Sequence, residues 1–84
     1  EKITAEALER AVPRLFADKS CGEVFRIKGF VKNGAGQWME LNATPDSHTM
    51  QSVAVVQEVL IVIGEHLQED KIREILKEEE TCQS

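Results

Sequence analysis

At Glu23 the hydrophobic spacing becomes a strict alternation that runs to Lys32, and Asn33-Gly34-Ala35-Gly36 then supplies the positive-φ residues of a tight turn. Beyond the turn, Gln37 to Ala43 alternates again, with Met39 and Leu41 opposite Trp38 and Glu40. Strands joined by so short a loop must run antiparallel, because a parallel pair needs a crossover of a dozen or more residues. This hairpin removes every parallel-sheet architecture from consideration. Its first strand has two unlike faces: Phe25, Ile27 and Val31 on one, and Val24, Arg26, Lys28, Phe30 and Lys32 on the other.

The segment before the hairpin is helical. Thr4 is an N-cap candidate, Glu6 lies near the positive end of the helix dipole, and Ile3 and Leu8 stand at staple spacing. Leu8, Val12, Leu15 and Phe16 recur at helical intervals with Ala11 between them, and that stripe faces a core. Pro13 deletes one hydrogen bond of the helix and predicts a kink or a break there. Asp18 to Gly22 ends the segment.

After the hairpin, Thr44-Pro45-Asp46-Ser47 reads as a turn. Alternation from Thr49 to Val56 and the β-branched run Val59 to Ile63, closed by Gly64, predict two further strands joined near Gln57-Glu58. A helix follows from about Gln68 to Glu79, with Leu67, Ile72, Ile75 and Leu76 as its apolar stripe. Glu78-Glu79-Glu80 sets three negative charges at the negative end of the dipole and predicts fraying. The order helix, four strands, helix gives an α+β fold: a two-layer, four-stranded antiparallel sheet with the N-terminal and C-terminal helices packed on one face. All 84 residues are expected to form one domain with a thin stability margin.

Apolar content of 42% with 30% charged residues predicts a folded core rather than disorder. A net charge of −5 opposes adhesion to nucleic acid or anionic lipid, so neither is an expected partner. The longest apolar run, Val53 to Ile63, is interrupted by Gln57 and Glu58 and falls short of the ~20 residues that span a bilayer. The first residues carry no apolar leader, and a start at Glu1 without Met reads as a processed or excised piece. Cys21 and Cys82 share no metal-finger spacing and are expected as free thiols in a reducing, cytoplasmic setting.

Chemistry-bearing constellations are few. Asn33-Gly34-Ala35-Gly36 lacks the Lys and Ser/Thr of a phosphate-binding loop, so this chain is not expected to hydrolyse a nucleoside triphosphate. His48 and His66 lie in no ligand spacing, and Cys21 reads as a small buried or half-buried thiol. No catalytic or metal-ligating residue is assigned. The face of Arg26, Lys28, Phe30 and Lys32 is the exception: Val24 and Phe30 offer apolar area, and the Arg26 guanidinium can hold a carboxylate or a phosphate through two parallel hydrogen bonds. On the plainer reading those charges only guard the sheet against edge pairing. An aromatic among cations also suits single-stranded nucleic acid, although the acidic balance and the single ring on that face weigh against it.

With these elements in order, residues 4–76 resemble the C-terminal domain of CobW-type proteins. The likeness rests on Arg26, Lys28, Gly29 and Phe30, then Trp38, then Ile63 and Gly64, then Leu67 through Leu76. It implies a noncatalytic accessory domain attached to a P-loop GTPase that delivers zinc or cobalt or serves cobalamin synthesis. GTP and the metal would be bound by the parent protein, with no cofactor in this domain. The implied partners are that GTPase domain or a client metalloprotein, and the residue reading makes Arg26, Lys28, Phe30 and Lys32 the face expected to dock either. The chain lacks the His-rich stretch of many relatives. A second reading is a small metal-carrying domain that joins His48, His66 and Cys21 to ligands from another copy.

Overall fold

A computed structural model of the chain describes residues 3–54 and 56–81. Helix α1 (Ala5–Ala17) is followed by a 3₁₀ turn (Lys19–Cys21), strands β1 (Glu23–Lys32), β2 (Trp38–Ala43), β3 (His48–Ser52) and β4 (Val59–Glu65), and helix α2 (Glu69–Thr81). The strands form one antiparallel sheet in the order β3-β2-β1-β4. The expected α+β architecture is therefore the one observed.

Helix α1 begins where the sequence places its cap: the Thr4 hydroxyl accepts from the amide of Ala7 at 3.2 Å. Leu8, Ala11, Val12 and Leu15 are buried against Ile27 and Val31 of β1 and Leu41 and Ala43 of β2. The helix runs unbroken through Pro13, which lies on the exposed side. Packing of the apolar stripe on both sides of the proline outweighs the one backbone bond it removes. The hairpin turn is tied down twice. The Asn33 side chain accepts from the amides of Ala35 and Gln37, and the Glu6 carboxylate of α1 accepts from the amide of Gly34 at 3.0 Å.

Helix α2 packs mainly on α1 and on the 3₁₀ turn, burying Ile72 and Ile75. It remains helical through Glu78-Glu79-Glu80, where fraying was expected. The reason lies on α1. Arg14 reaches Glu78 at 2.8 Å and Glu79 at 3.0 Å, and Arg10 reaches the Glu79 carboxylate at 3.3 Å and its carbonyl at 3.0 Å. The two carboxylates hold the Arg14 guanidinium's pKa above its usual value, chiefly through the Glu78 hydrogen bond. A pair of cations from a neighbouring helix thus offsets the unfavourable dipole.

Two expectations about the strands need correction. Strand β3 ends at Ser52, so the alternation expected through Val56 covers only its first part; Val55 lies outside the described residues. More important, a β-bulge between Val24 and Arg26 in the β1–β4 pairing inverts the start of β1. Val24, expected on the cationic face, is only 5% exposed and belongs to the core, whereas Phe25, expected inside, is 45% exposed. Glycines permit this irregular end. Gly22 has φ 95° and ψ −166°, a region open almost only to glycine, and a Cβ there would meet the carbonyl oxygen of His66. At Gly64 a Cβ would meet the carbonyl oxygen of Glu23.

Candidate interaction face

Both helices lie on one side of the sheet, so the other side of every strand is left without a covering layer among the described residues. The register assembles that open face. Lys28 stands opposite Asn42 on β2 and Ile61 on β4, Phe30 opposite Glu40 and Val59, Lys32 opposite Trp38, and Arg26 opposite Ile63. Glu40 and Asn42 continue the rows to Gln51 and Thr49 on β3. From Arg26 onward the alternation holds, so Arg26, Lys28, Phe30 and Lys32 share this face as expected.

Each cation has a local partner. The Arg26 guanidinium donates to the Asn42 side-chain oxygen at 3.2 Å. The Lys28 ammonium lies 3.8 Å from a Glu40 oxygen and 5.6 Å from the centre of the Phe30 ring. Lys32 stands 5.4 Å from the centre of the Trp38 ring. At these separations the ring faces attract the ammonium groups, a contribution of roughly 0.5–1 kcal/mol at exposed sites. Trp38 is therefore a second ring on the cationic face, where the strand taken alone offered only Phe30.

Glu40 organises the centre. Its two oxygens accept from Asn42 at 3.1 Å and from Gln51 at 3.3 Å, and Lys28 approaches the same carboxylate. The Asn42 and Gln51 hydrogen bonds, in that order, hold its pKa below the usual carboxylate value, with the Lys28 charge adding a smaller pull. On the sequence this residue is one glutamate among many. Only the cross-strand register, which sets Glu40 beside Phe30 on one flank and Gln51 on the other, marks it out.

A second group escaped the sequence reading because the β-branched run Val59 to Ile63 was read as a strand without its two faces being assigned. Ile61 and Ile63 are 44% and 49% exposed and stand on the open face beside Lys28 and Arg26, with Phe25 exposed at the bulge. The face thus has an apolar flank on β4, a cationic row on β1 and a polar network on β2 and β3. The signal was present in the alternation of Val59-Leu60-Ile61-Val62-Ile63, whose residues divide between two faces.

The candidate metal ligands are not brought together. His48 belongs to β3, where its Nε2 lies 3.0 Å from a Glu9 oxygen, and His66 follows β4 at the opposite edge of the sheet. Cys21, in the 3₁₀ turn, is fully buried, and burial pushes its thiol pKa up, away from the thiolate a metal would need. Among the described residues no three His, Cys, Asp or Glu side chains converge as a metal site. Cys82 lies outside the described residues. No described helix is long and apolar enough to cross a membrane.

The fold and this face define a two-layer α+β module whose helices cover one side of an antiparallel sheet and leave a cationic, aromatic side open. The family model described as the cobalamin synthesis protein cobW C-terminal domain matches residues 1–80, and the chain belongs to that family. No curated protein and no solved structure matched the chain.

Proposed function

We propose that this chain is a noncatalytic docking domain of a CobW-type GTPase, and that its open sheet face binds the parent GTPase domain or a client metalloprotein. The observation that carries the reading is an asymmetry. On a chain with net charge −5, one face gathers Arg26, Lys28 and Lys32 around two rings and adjoins exposed Ile61 and Ile63. Apolar area next to cations, on a sheet face with no covering layer among the described residues, is the composition of an interface core with its steering charges. Arg26 would exchange its single hydrogen bond to Asn42 for a two-point contact with a partner carboxylate. Lys28 and Lys32 would draw an acidic surface in, and Phe30 with Ile61 would supply the apolar anchor.

In the parent protein the Walker motif and the metal site would lie on another domain, with zinc or cobalt as cargo. The test is binding of the 84-residue chain to the separately expressed GTPase domain and to candidate clients, measured by calorimetry. Arg26→Glu combined with Phe30→Ala should weaken the authentic complex at least about thirtyfold, since a central anchor and a reversed charge each cost about 1–2 kcal/mol. Unchanged affinity for every partner would overturn the assignment of this face.

A further inference from the structure

The 15 acids and 10 bases of this chain are unevenly matched over its surface. Three of the four arginines are held by glutamates: Arg10 by Glu79, Arg14 by Glu78 and Glu79, and Arg73 by Glu69 at 2.6 Å. Arg26, on the open face, is the fourth. Among the described residues its partner is the Asn42 amide oxygen rather than a carboxylate, and Lys32 on the same strand faces the Trp38 ring. Lys28 between them approaches Glu40 only to 3.8 Å, and that carboxylate already accepts from Asn42 and Gln51. A chain with acid to spare thus leaves the cations of one face short of it.

The apolar part of the face is equally confined. Val59, Ile61 and Ile63 of β4 stand beside Phe30, Lys28 and Arg26 of β1, so an apolar column and a cationic column run side by side at the spacing of neighbouring strands, about 4.8 Å. An α-helix is about 10 Å across, the width of two such columns. A second sheet packed on this side would need apolar surface across all four strands, whereas β2 and β3 present the polar network around Glu40. An extended or irregular segment laid over these side chains would bury backbone N–H and C=O groups without partners. A helix satisfies its own.

We propose that the open face is built for an amphipathic helix of the partner protein, lying along β1 and β4 with its apolar stripe on Phe30, Ile61 and Ile63 and a row of carboxylates on the flank above Arg26, Lys28 and Lys32. The inference rests on the docking function proposed above and names the element that docks. Along β1, Arg26 and Lys28 stand about 7 Å apart and Lys28 and Lys32 about 13 Å apart. Acids four residues apart on a helix are separated by about 6 Å along its axis, and those seven or eight apart by about 10–12 Å. The long lysine side chains span the difference, and the Arg26 guanidinium takes its carboxylate through two hydrogen bonds. A second copy of this chain offers no such helix, because α1 and α2 turn their apolar stripes into their own core.

The test titrates the isotope-labelled 84-residue chain with the capped peptide Glu-Ala-Gln-Leu-Glu-Gln-Leu-Leu-Ala-Gln-Leu-Glu-Ala-Ala-Leu-Gln, whose glutamates flank its leucine stripe when it is helical. The peptide should bind saturably, shift the signals of Lys28, Ile61 and Ile63, and gain helical circular dichroism as it binds. Lysine in place of its glutamates should weaken binding at least about tenfold, the combined scale of about two or three exposed ion pairs. Arg26→Glu should reverse part of that preference while leaving the chain's own spectrum unchanged. The same amino acids reordered so that leucine alternates with polar residues should also bind at least about tenfold more weakly. If the peptide leaves the face unshifted although Arg26→Glu with Phe30→Ala weakens the authentic complex, the helix is wrong and the docking face stands; if neither responds, both fall. Equal binding of the reordered peptide would replace the helix with an extended segment, and equal binding of the lysine form would remove the acidic flank. Concentration-dependent shifts of Ile61 and Ile63 in the chain alone would make the occupant a second copy, and each of these three results overturns the proposal.

Discussion

The covered and open faces of this sheet are made from neighbouring residues of the same strands, yet different physics organises them. On the covered side Ile27, Val31 and Leu41 meet Leu8 and Leu15 in a dry layer with no buried polar side chain among the described residues. That side is held by area removed from water, which has no direction and tolerates any arrangement that fills space. On the open side the contacts are directional: a glutamate accepting from two amides, a guanidinium on an amide oxygen, two ammonium groups against rings. Such contacts hold a surface in shape while contributing little net stability, because each replaces a bond to water. The comparison teaches that one face makes the domain fold and the other can be changed for binding at small cost to folding.

That division predicts a large difference between truncations on the two sides of the hairpin. Leu41→Ala, which empties a fully buried site, should cost about 2–5 kcal/mol, a large fraction of what a domain of this size holds. Phe30→Ala, at a half-buried site on the other side, should cost about 1 kcal/mol. Urea unfolding followed by far-ultraviolet circular dichroism measures both. Comparable losses at the two positions would mean that the open face is part of the core, and the comparison would break.

The start of β1 sharpens the same contrast, since there the faces exchange. Alternation alone makes Phe25 a core residue and Val24 a surface one; the bulge makes them the reverse. Val24→Ala should therefore destabilise by about 1–3 kcal/mol, and Phe25→Ala, despite removing the larger side chain, by less than about 1 kcal/mol. If Phe25→Ala proves the more damaging, the strand enters the sheet without the bulge.

How far the sequence could be read follows from the range of the forces involved. Helix α1, the hairpin and the stripe of α2 depend on spacing within a few residues, so Thr4, Leu8, Leu15, Ile72 and Ile75 behave as their periodicity requires. The cationic row was legible for the same reason: Arg26, Lys28, Phe30 and Lys32 lie on one strand with no irregularity among them. What the sequence hid depends on partners far along the chain. The bulge answers to the close approach of Gly22 and Gly64 to backbone on the other strand. Glu78 and Glu79 are held by arginines more than sixty residues away. Trp38, Ile61 and Ile63 join the face only through register. Pro13 shows the converse, a strong local signal overruled by the packing of the stripe on either side of it.

The smallest effect is the most specific to the open face, and it is a dependence on pH. Glu40 has a folded-state pKa below its unfolded value because Asn42 and Gln51 donate to the carboxylate and Lys28 lies beside it. A depressed carboxylate pKa stabilises the fold above the unfolded value, near pH 4.5, and that contribution is lost as pH falls through the folded value. Asp18, which accepts from the Ser20 hydroxyl at 2.6 Å and its amide at 3.0 Å, is shifted in the same direction, so acid destabilisation by itself does not distinguish the two. Their locations do. Glu40→Gln should remove part of the acid-dependent loss of stability and, in the same titration, abolish the pH-dependent shifts of the Asn42 and Gln51 side-chain amides. Asp18→Asn should flatten the stability curve while leaving those amide shifts intact. If the Asn42 and Gln51 signals titrate unchanged in Glu40→Gln, the carboxylate does not organise the face, and the directional network that distinguishes this side from the core has to be centred elsewhere.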